Sequence, residues 1–143
     1  MKIILAGLSP KLIDAWRDLF GKEKEVEIIT GDITKVRCDA VVSPANSFGF
    51  MDGGIDNDLS DRFGWDLEKR LQQRIKELPE GELLVGQAMI LETYDTQIPF
   101  LISAPTMRIP TDFNIDTSVN AYLAMKAILI KAKSDERITS VAI

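Results

Sequence analysis

The period of the apolar positions changes several times along this chain, and each change marks an element. Lys2 to Gly7 (KIILAG) is a nearly continuous apolar run closing on glycine, the pattern of a short buried strand. Ser9 stands where an N-cap belongs, and Pro10 fits a first helical position, where a missing N–H costs nothing. Leu12, Trp16, Leu19 and Phe20 then recur at helical spacing, so a helix with that apolar stripe is predicted to Phe20, with Gly21 stopping it. Val26–Thr30 (VEIIT) and Asp39–Ser43 (DAVVS) are β-branched runs ending in turn formers, and read as strands. After a glycine-rich stretch a helix begins near Ile55, and Leu67, Leu71 and Ile75 form a helical stripe that ends before Pro79. Gln87–Glu92 and Phe100–Ala104 read as two further strands. Asp116 or Thr117 is placed to cap a helix whose apolar face is Val119, Leu123, Ala127 and Ile130, and Ser140–Ile143 begins a last buried strand. Strands alternating with helices predict an α/β layered domain with a mostly parallel sheet, one domain over residues 1–143.

Composition narrows the chemistry by what it lacks. There is no histidine, and Cys38 is the only cysteine. Histidine-based triads, Cys/His dyads, thiol pairs and Cys/His zinc sites are therefore excluded, and no metal or other cofactor is expected. Cys38, beside apolar strand residues, reads as a small buried hydrophobe. The formal net charge of -5 argues against a broad basic surface for duplex nucleic acid, while leaving room for a local pocket around one phosphate-bearing ligand. No run approaches the roughly 18 apolar residues of a membrane span, and the run Ile3–Leu8 is too short for a secretion signal. A soluble, cytoplasmic protein is expected.

The stretch that carries candidate chemistry is Gly31 to Phe63, GDITKVRCDAVVSPANSFGFMDGGIDNDLSDRF. A strand ends at Ser43, and the chain turns through Pro44, Asn46, Gly49, Gly53 and Gly54 before a helix starts. In open α/β sheets, ligands bind beyond the carboxyl ends of the strands, where such loops gather. Glycines let backbone N–H groups approach a phosphate, and a following helix N-terminus adds its positive dipole. Neither GxxxxGK[ST] nor GxGxxG is present, so this is no Walker loop and no dinucleotide fingerprint. Asn46 carries an amide able to donate to and accept from a sugar hydroxyl, or to close an Asx turn. Asp32 follows a strand end, suited to an exocyclic amine or to a turn. Asp56 sits at a helix start, suited to capping or to orienting a water.

In order and spacing, GDIT, DAVVSPAN and GGID resemble the macrodomain pattern of GDIT, a DAIVNAAN-like strand end and GGGVD. The resemblance runs over essentially the whole chain, with its core at Gly31–Asp56. It implies a three-layer α/β/α fold and a cleft for ADP-ribose or an ADP-ribosylated macromolecule. By that likeness Asp32 and Ile33 would contact adenine, Ala45 and Asn46 would lie at the distal ribose, and Gly53, Gly54 and Ile55 would line the diphosphate loop. Asp56 takes the place of an aspartate that positions a water in hydrolytic members, so Asn46 and Asp56 are the catalytic candidates. Reader, ADP-ribosyl hydrolase and ADP-ribose 1″-phosphate phosphatase are the activities implied. A structural or interaction domain with a vestigial cleft is the alternative.

Three departures bear on that expectation. Ser43-Pro44 replace Asn-Ala, and Asp52 replaces the first glycine of the GGG run, where a carboxylate would repel a diphosphate unless it faces solvent. The family also continues past the strand at Ser140–Ile143 into a second glycine-rich loop, a strand and a helix. The domain is thus expected to lack its C-terminal part, with the last strand leaving an apolar edge bare. Outside the motif, Phe48, Phe50 and Met51 read as packing residues or a ligand shield, Trp65 as a core anchor and Arg108 as a solvated loop arginine or a phosphate contact.

Overall fold

The computed structural model describes residues 1–110 and 117–143. Six strands form one sheet: β1 (Lys2–Gly7), β2 (Val26–Thr30), β3 (Ala40–Ser43), β4 (Met89–Glu92), β5 (Phe100–Ser103) and β6 (Ser140–Ala142). Their spatial order is β2-β1-β6-β3-β5-β4, parallel throughout except for β4, which runs antiparallel to β5 at one edge. Among the described residues four α-helices cover it: α1 (Pro10–Phe20), α2 (Gly54–Phe63), α3 (Asp66–Lys76) and α4 (Asn120–Lys133). The mixed, mostly parallel α/β architecture expected from the alternation of elements is the one observed.

Strand parity sorts the core into two layers. Ile4, Ala6, Val41, Leu101 and Ala142 point to one face, where Leu59, Leu67, Leu71 and Ile75 of α2 and α3 cover them. Ala40, Val42, Phe100, Ile102 and Val141 point to the other, against Ala124, Ile128 and Ala132 of α4. These strands are buried on both faces, which is why they read as continuous apolar runs rather than as alternations.

The sequence pattern misplaces several faces. In α1 the residue fully enclosed is Ile13, while Leu12, Leu19 and Phe20 of the expected stripe are exposed. Ser9 precedes that helix without making a side-chain cap. In α4 the buried face is Ala124, Ala127, Ile128 and Ala132, whereas Val119 and Ile130 are exposed; small alanines let the helix lie close on the sheet. That helix is preceded by Val119 rather than Thr117, and Asp116 lies outside the described residues. Trp65, expected in the core, is 43% exposed beside the start of α3. The bare apolar edge is also absent, because β6 is flanked on both sides, by Lys2–Ile4 of β1 and by Ala40–Val41 of β3.

Gly49 ties the candidate loop to this core. Its φ is +72, and a Cβ there would stand 3.0 Å from both Ile75 Cδ1 and Leu71 Cγ. Left-handed strain of about 1–2 kcal/mol adds to an overpacking cost of about 1–3 kcal/mol. Gly49→Val is therefore expected to lower the urea midpoint by an amount equivalent to about 2–5 kcal/mol. An unchanged midpoint would show that the loop can lift off α3 without cost.

Candidate functional site

Beyond the carboxyl ends of the strands, three loops are bound to one another. Asn46 forms a parallel bridge with Met107, Ser47 N–H donates to the Arg108 carbonyl at 3.0 Å, and Leu83 N–H donates to the Ser47 carbonyl at 2.8 Å. Asn120 of α4 adds a side-chain bond to the Thr106 carbonyl at 2.9 Å. Arg108 is not a free phosphate ligand here. Its guanidinium pairs with Glu82 at 2.8 Å and lies over the Phe48 ring, 5.2 Å from the centroid. Of the apolar loop residues, Met51 is fully enclosed and Phe50 is 47% exposed.

Asn46 is buried, and its amide organises the loop that follows. Oδ1 accepts from the Phe48 and Phe50 N–H groups at 3.1 and 3.2 Å, and Nδ2 donates to the Phe50 carbonyl at 2.8 Å. This is the Asx-type reading of Asn46. In this structure the side chain is committed to backbone rather than held ready for a sugar hydroxyl. Ala45 is enclosed, and its carbonyl accepts from Thr106 N–H at 2.9 Å.

Asp32 likewise has local partners. Its Oδ1 accepts from Thr34 N–H at 2.9 Å and from Thr34 Oγ1 at 2.7 Å, capping a short 3₁₀ turn at Ile33–Lys35, while Oδ2 faces Lys35 Nζ at 3.3 Å. Those bonds, the Thr34 hydroxyl first, hold its pKa below the ordinary carboxylate value. Oδ2 remains the approachable oxygen, since the side chain is 37% exposed. Ile33 turns inward and packs on the core cluster under α2 and α3. Arg62 of α2 fixes the turn from behind by donating to the Thr34 carbonyl and pairing with Asp95. Because β2 and β3 are separated by β1 and β6, Asp32 and Asn46 stand roughly 14 Å apart across the sheet, three strand spacings.

Gly53 and Gly54 open α2. No side chain caps this helix, and its first intrahelical bond is Asn57 N–H to the Gly53 carbonyl. The N–H groups of Gly54, Ile55 and Asp56 thus have no intrahelical acceptor and present the positive end of the helix dipole. A Cβ on Gly53 or Gly54 would meet nothing within 4 Å, so the approach is open. Asp52 is exposed, which removes the expected clash with an anion.

Asp56, in the first turn of α2, is the one carboxylate of the stretch that is buried, at 6% exposure. Its Oδ1 is enclosed without a hydrogen-bond partner, as are the hydroxyls of Ser43 and Ser103. Burial pushes its pKa up to about 6, with the Ser43 hydroxyl opposing that in part. Ser103 was not legible as a site residue, because a serine inside FLIS reads as an ordinary strand position. Elsewhere Cys38 is buried as expected, its thiol pushed up to about 11 by desolvation.

Two grooves lie elsewhere on the surface. One of about 960 Å³ follows β4 between α3 and α4, remote from the strand ends. The other, about 830 Å³, runs from Lys2 and Ser140 to Asp32 and alone reaches an expected site residue. Among the described residues no group of three or more potential ligands could hold a metal ion, and no helix is long and apolar enough to cross a membrane.

A mostly parallel sheet with helices on both faces, and an uncapped helix that starts after a Gly-Gly pair, define the class: an α/β layered module. The chain belongs to the Macro domain family, whose model matches residues 42–143. An uncharacterised protein of Aeropyrum pernix is 36% identical over 120 residues, which is 84% of this chain and 59% of that protein. A macro domain-containing protein of Listeria monocytogenes is 34% identical over 80 residues, 56% of this chain and 44% of that protein. The chain thus spans about half the length of these relatives. Among solved structures, a glycine-to-valine mutant of the Oceanobacillus iheyensis macrodomain with ADPR superposes with a TM-score of 0.64 at 22% identity, covering 78% of this chain and 60% of that one. The macrodomain of Mycobacterium tuberculosis DarG gives 0.62 at 19%, covering 78% and 70%.

Proposed function

We propose that this domain binds ADP-ribose, free or attached to a macromolecule, across the carboxyl ends of its strands. The observation that carries the reading is the uncapped start of α2, where three N–H groups lack an intrahelical acceptor and the space beside Gly53 and Gly54 is open. A diphosphate placed there leaves the adenosine end to extend over β6 and β1 toward Asp32, just past the end of β2. The mutant Oceanobacillus iheyensis macrodomain solved with ADPR shares this fold, which supports the choice of ligand. Asp32 takes the adenine amine through Oδ2, in competition with Lys35. Asn46 serves the site by shaping the 46–50 loop.

The finer reading is hydrolysis of the ADP-ribosyl bond. A water held by Asp56 attacks the anomeric carbon of the distal ribose as the bond to the leaving group breaks. The ionised carboxylate takes the proton from that water, and the departing atom is protonated from solvent. A carboxyl whose pKa is raised to about 6 is a stronger base than an ordinary aspartate and is still mainly ionised at neutral pH. No histidine or metal is required. The alternative, an interaction domain with a vestigial cleft, predicts neither binding nor turnover.

Calorimetric titration with ADP-ribose, with AMP and ADP as controls, tests the binding reading. Saturable binding that prefers ADP-ribose is expected, and its absence overturns the reading. Asp32→Ala is expected to weaken binding about tenfold, the loss of one hydrogen bond to a charged acceptor. Equal affinity in that variant would reduce Asp32 to a cap on the 33–35 turn.

A further inference from the structure

Three buried polar side-chain atoms without hydrogen-bond partners lie on the α2 and α3 side of the sheet. Ser43 and Ser103 end adjacent parallel strands in matched register, so their side chains stand on the same face about 4.8 Å apart along the sheet. That face is the α2 and α3 side, because Val41 and Leu101, two residues earlier on each strand, lie in its core cluster. Both serines are 0% exposed and neither hydroxyl makes a hydrogen bond. Asp56 descends on the same face from the first turn of α2, and its enclosed Oδ1 is equally unpaired. Asp56 stands three residues before Leu59, which packs in the core cluster with Val41 and Leu101, so both lie on the side of α2 that faces the sheet. Of the four such orphaned atoms among the described residues, three belong to this group; the fourth, Arg62 Nε, is part of the Asp95 pairing.

Buried polar groups are rarely left unpaired, and a polar recess bounded by two or more of them is where an internal water is found. An apolar design would have placed alanine or valine at 43 and 103, as at Val41 and Leu101. We propose that Ser43, Ser103 and Asp56 enclose one internal water, held by the two hydroxyls and Oδ1, and that Ser43 and Ser103 act through it as positioning residues for the Asp56 carboxyl. The water gives each orphan a partner. It also fixes the inner oxygen of Asp56, which orients the other oxygen, so the carboxyl can receive a proton from the cleft without rotating. Donation from the water favours the ionised carboxylate, countering its burial.

The inference deepens the hydrolytic reading, yet it concerns the unliganded protein and is tested without substrate. A crystal structure of this chain at a resolution that orders waters is expected to place one within hydrogen-bonding distance of at least two of the three atoms. A dry recess overturns the proposal. In ¹³C-carboxyl titrations, Ser103→Ala is expected to raise the Asp56 midpoint by about half a pH unit, and Ser43→Ala by about one. Ser43→Thr, which keeps the hydroxyl, is expected to restore it. Ser103 reaches Asp56 only through the water, so an unmoved midpoint in Ser103→Ala sinks the relay even if the fold is intact. Failure here leaves ADP-ribose binding and turnover to be judged by their own assays, and a positive result stands even if turnover is absent.

Discussion

Asp56→Asn is expected to make the protein more stable at neutral pH while removing ADP-ribosyl hydrolysis. The two effects have one origin. Burial raises the folded pKa from 3.8 to about 6. Between those values the unfolded chain has released its proton and the folded chain still holds it, so stability falls as pH rises through that window. The difference of about two pH units corresponds to a penalty of about 3 kcal/mol, absent below pH 4 and fully developed above pH 6. Asparagine keeps the shape and never ionises, so the variant should lack this loss. Urea unfolding at pH 4 and pH 7 isolates the term as a difference between the two proteins, because Asp32, Asp39 and Asp95, whose folded pKa values are lowered, contribute slopes of the opposite sign to both. Equal pH dependence in the two proteins would place Asp56 in contact with solvent. For turnover, the asparagine side chain accepts no proton from water, and a loss of about 10²–10⁴-fold is expected of a general base. ADP-ribose affinity should change little.

The class of fold was legible in the sequence for a physical reason. Strands buried on both faces, such as Ala40–Ser43 and Phe100–Ser103, leave runs too apolar to be anything else in a chain that also carries the Leu67–Leu71–Ile75 stripe. Strand order was not legible, because β1 enters the sheet between β2 and β6, pairings about 20 and 140 residues away in the chain. Nor were the faces of α1 and α4. Periodicity ranks large apolar residues highest, yet α4 faces the sheet with alanines and leaves Ile130 outside. At the site, the glycines and Asp56 stood out by spacing. The commitments of Asn46 and Asp32 to local backbone were legible only as one of two readings, since an amide or carboxylate in a loop offers the same atoms to a turn as to a ligand. Ser43 first read as a departure from the motif. Only the register that sets it beside Ser103, and the helix that lowers Asp56 onto the pair, give it a role.

Gly54→Val is expected to abolish ADP-ribose binding by at least about a hundredfold while the protein still folds. Gly54 is the first residue of α2 and holds φ at +54, a left-handed value that a β-branched residue avoids. Nothing lies within 4 Å of its missing Cβ, so the substitution meets no steric wall in the core, and the cost to stability is the backbone strain of about 1–2 kcal/mol. To relieve that strain the first turn must re-form, which displaces the N–H groups of residues 54 and 55. Two charge-assisted hydrogen bonds to phosphate, each worth about 1.5–3 kcal/mol, are then lost. Gly53→Ala is the control: its φ of -142 is extended backbone open to any residue, and its Cβ position is equally empty. That variant should bind within a few-fold of the parent. Titration of both variants, with unfolding curves beside them, separates a displaced phosphate loop from a damaged fold. If both bind normally, the start of α2 is not where the diphosphate sits, and the anion site must be sought along the groove that reaches Asp32.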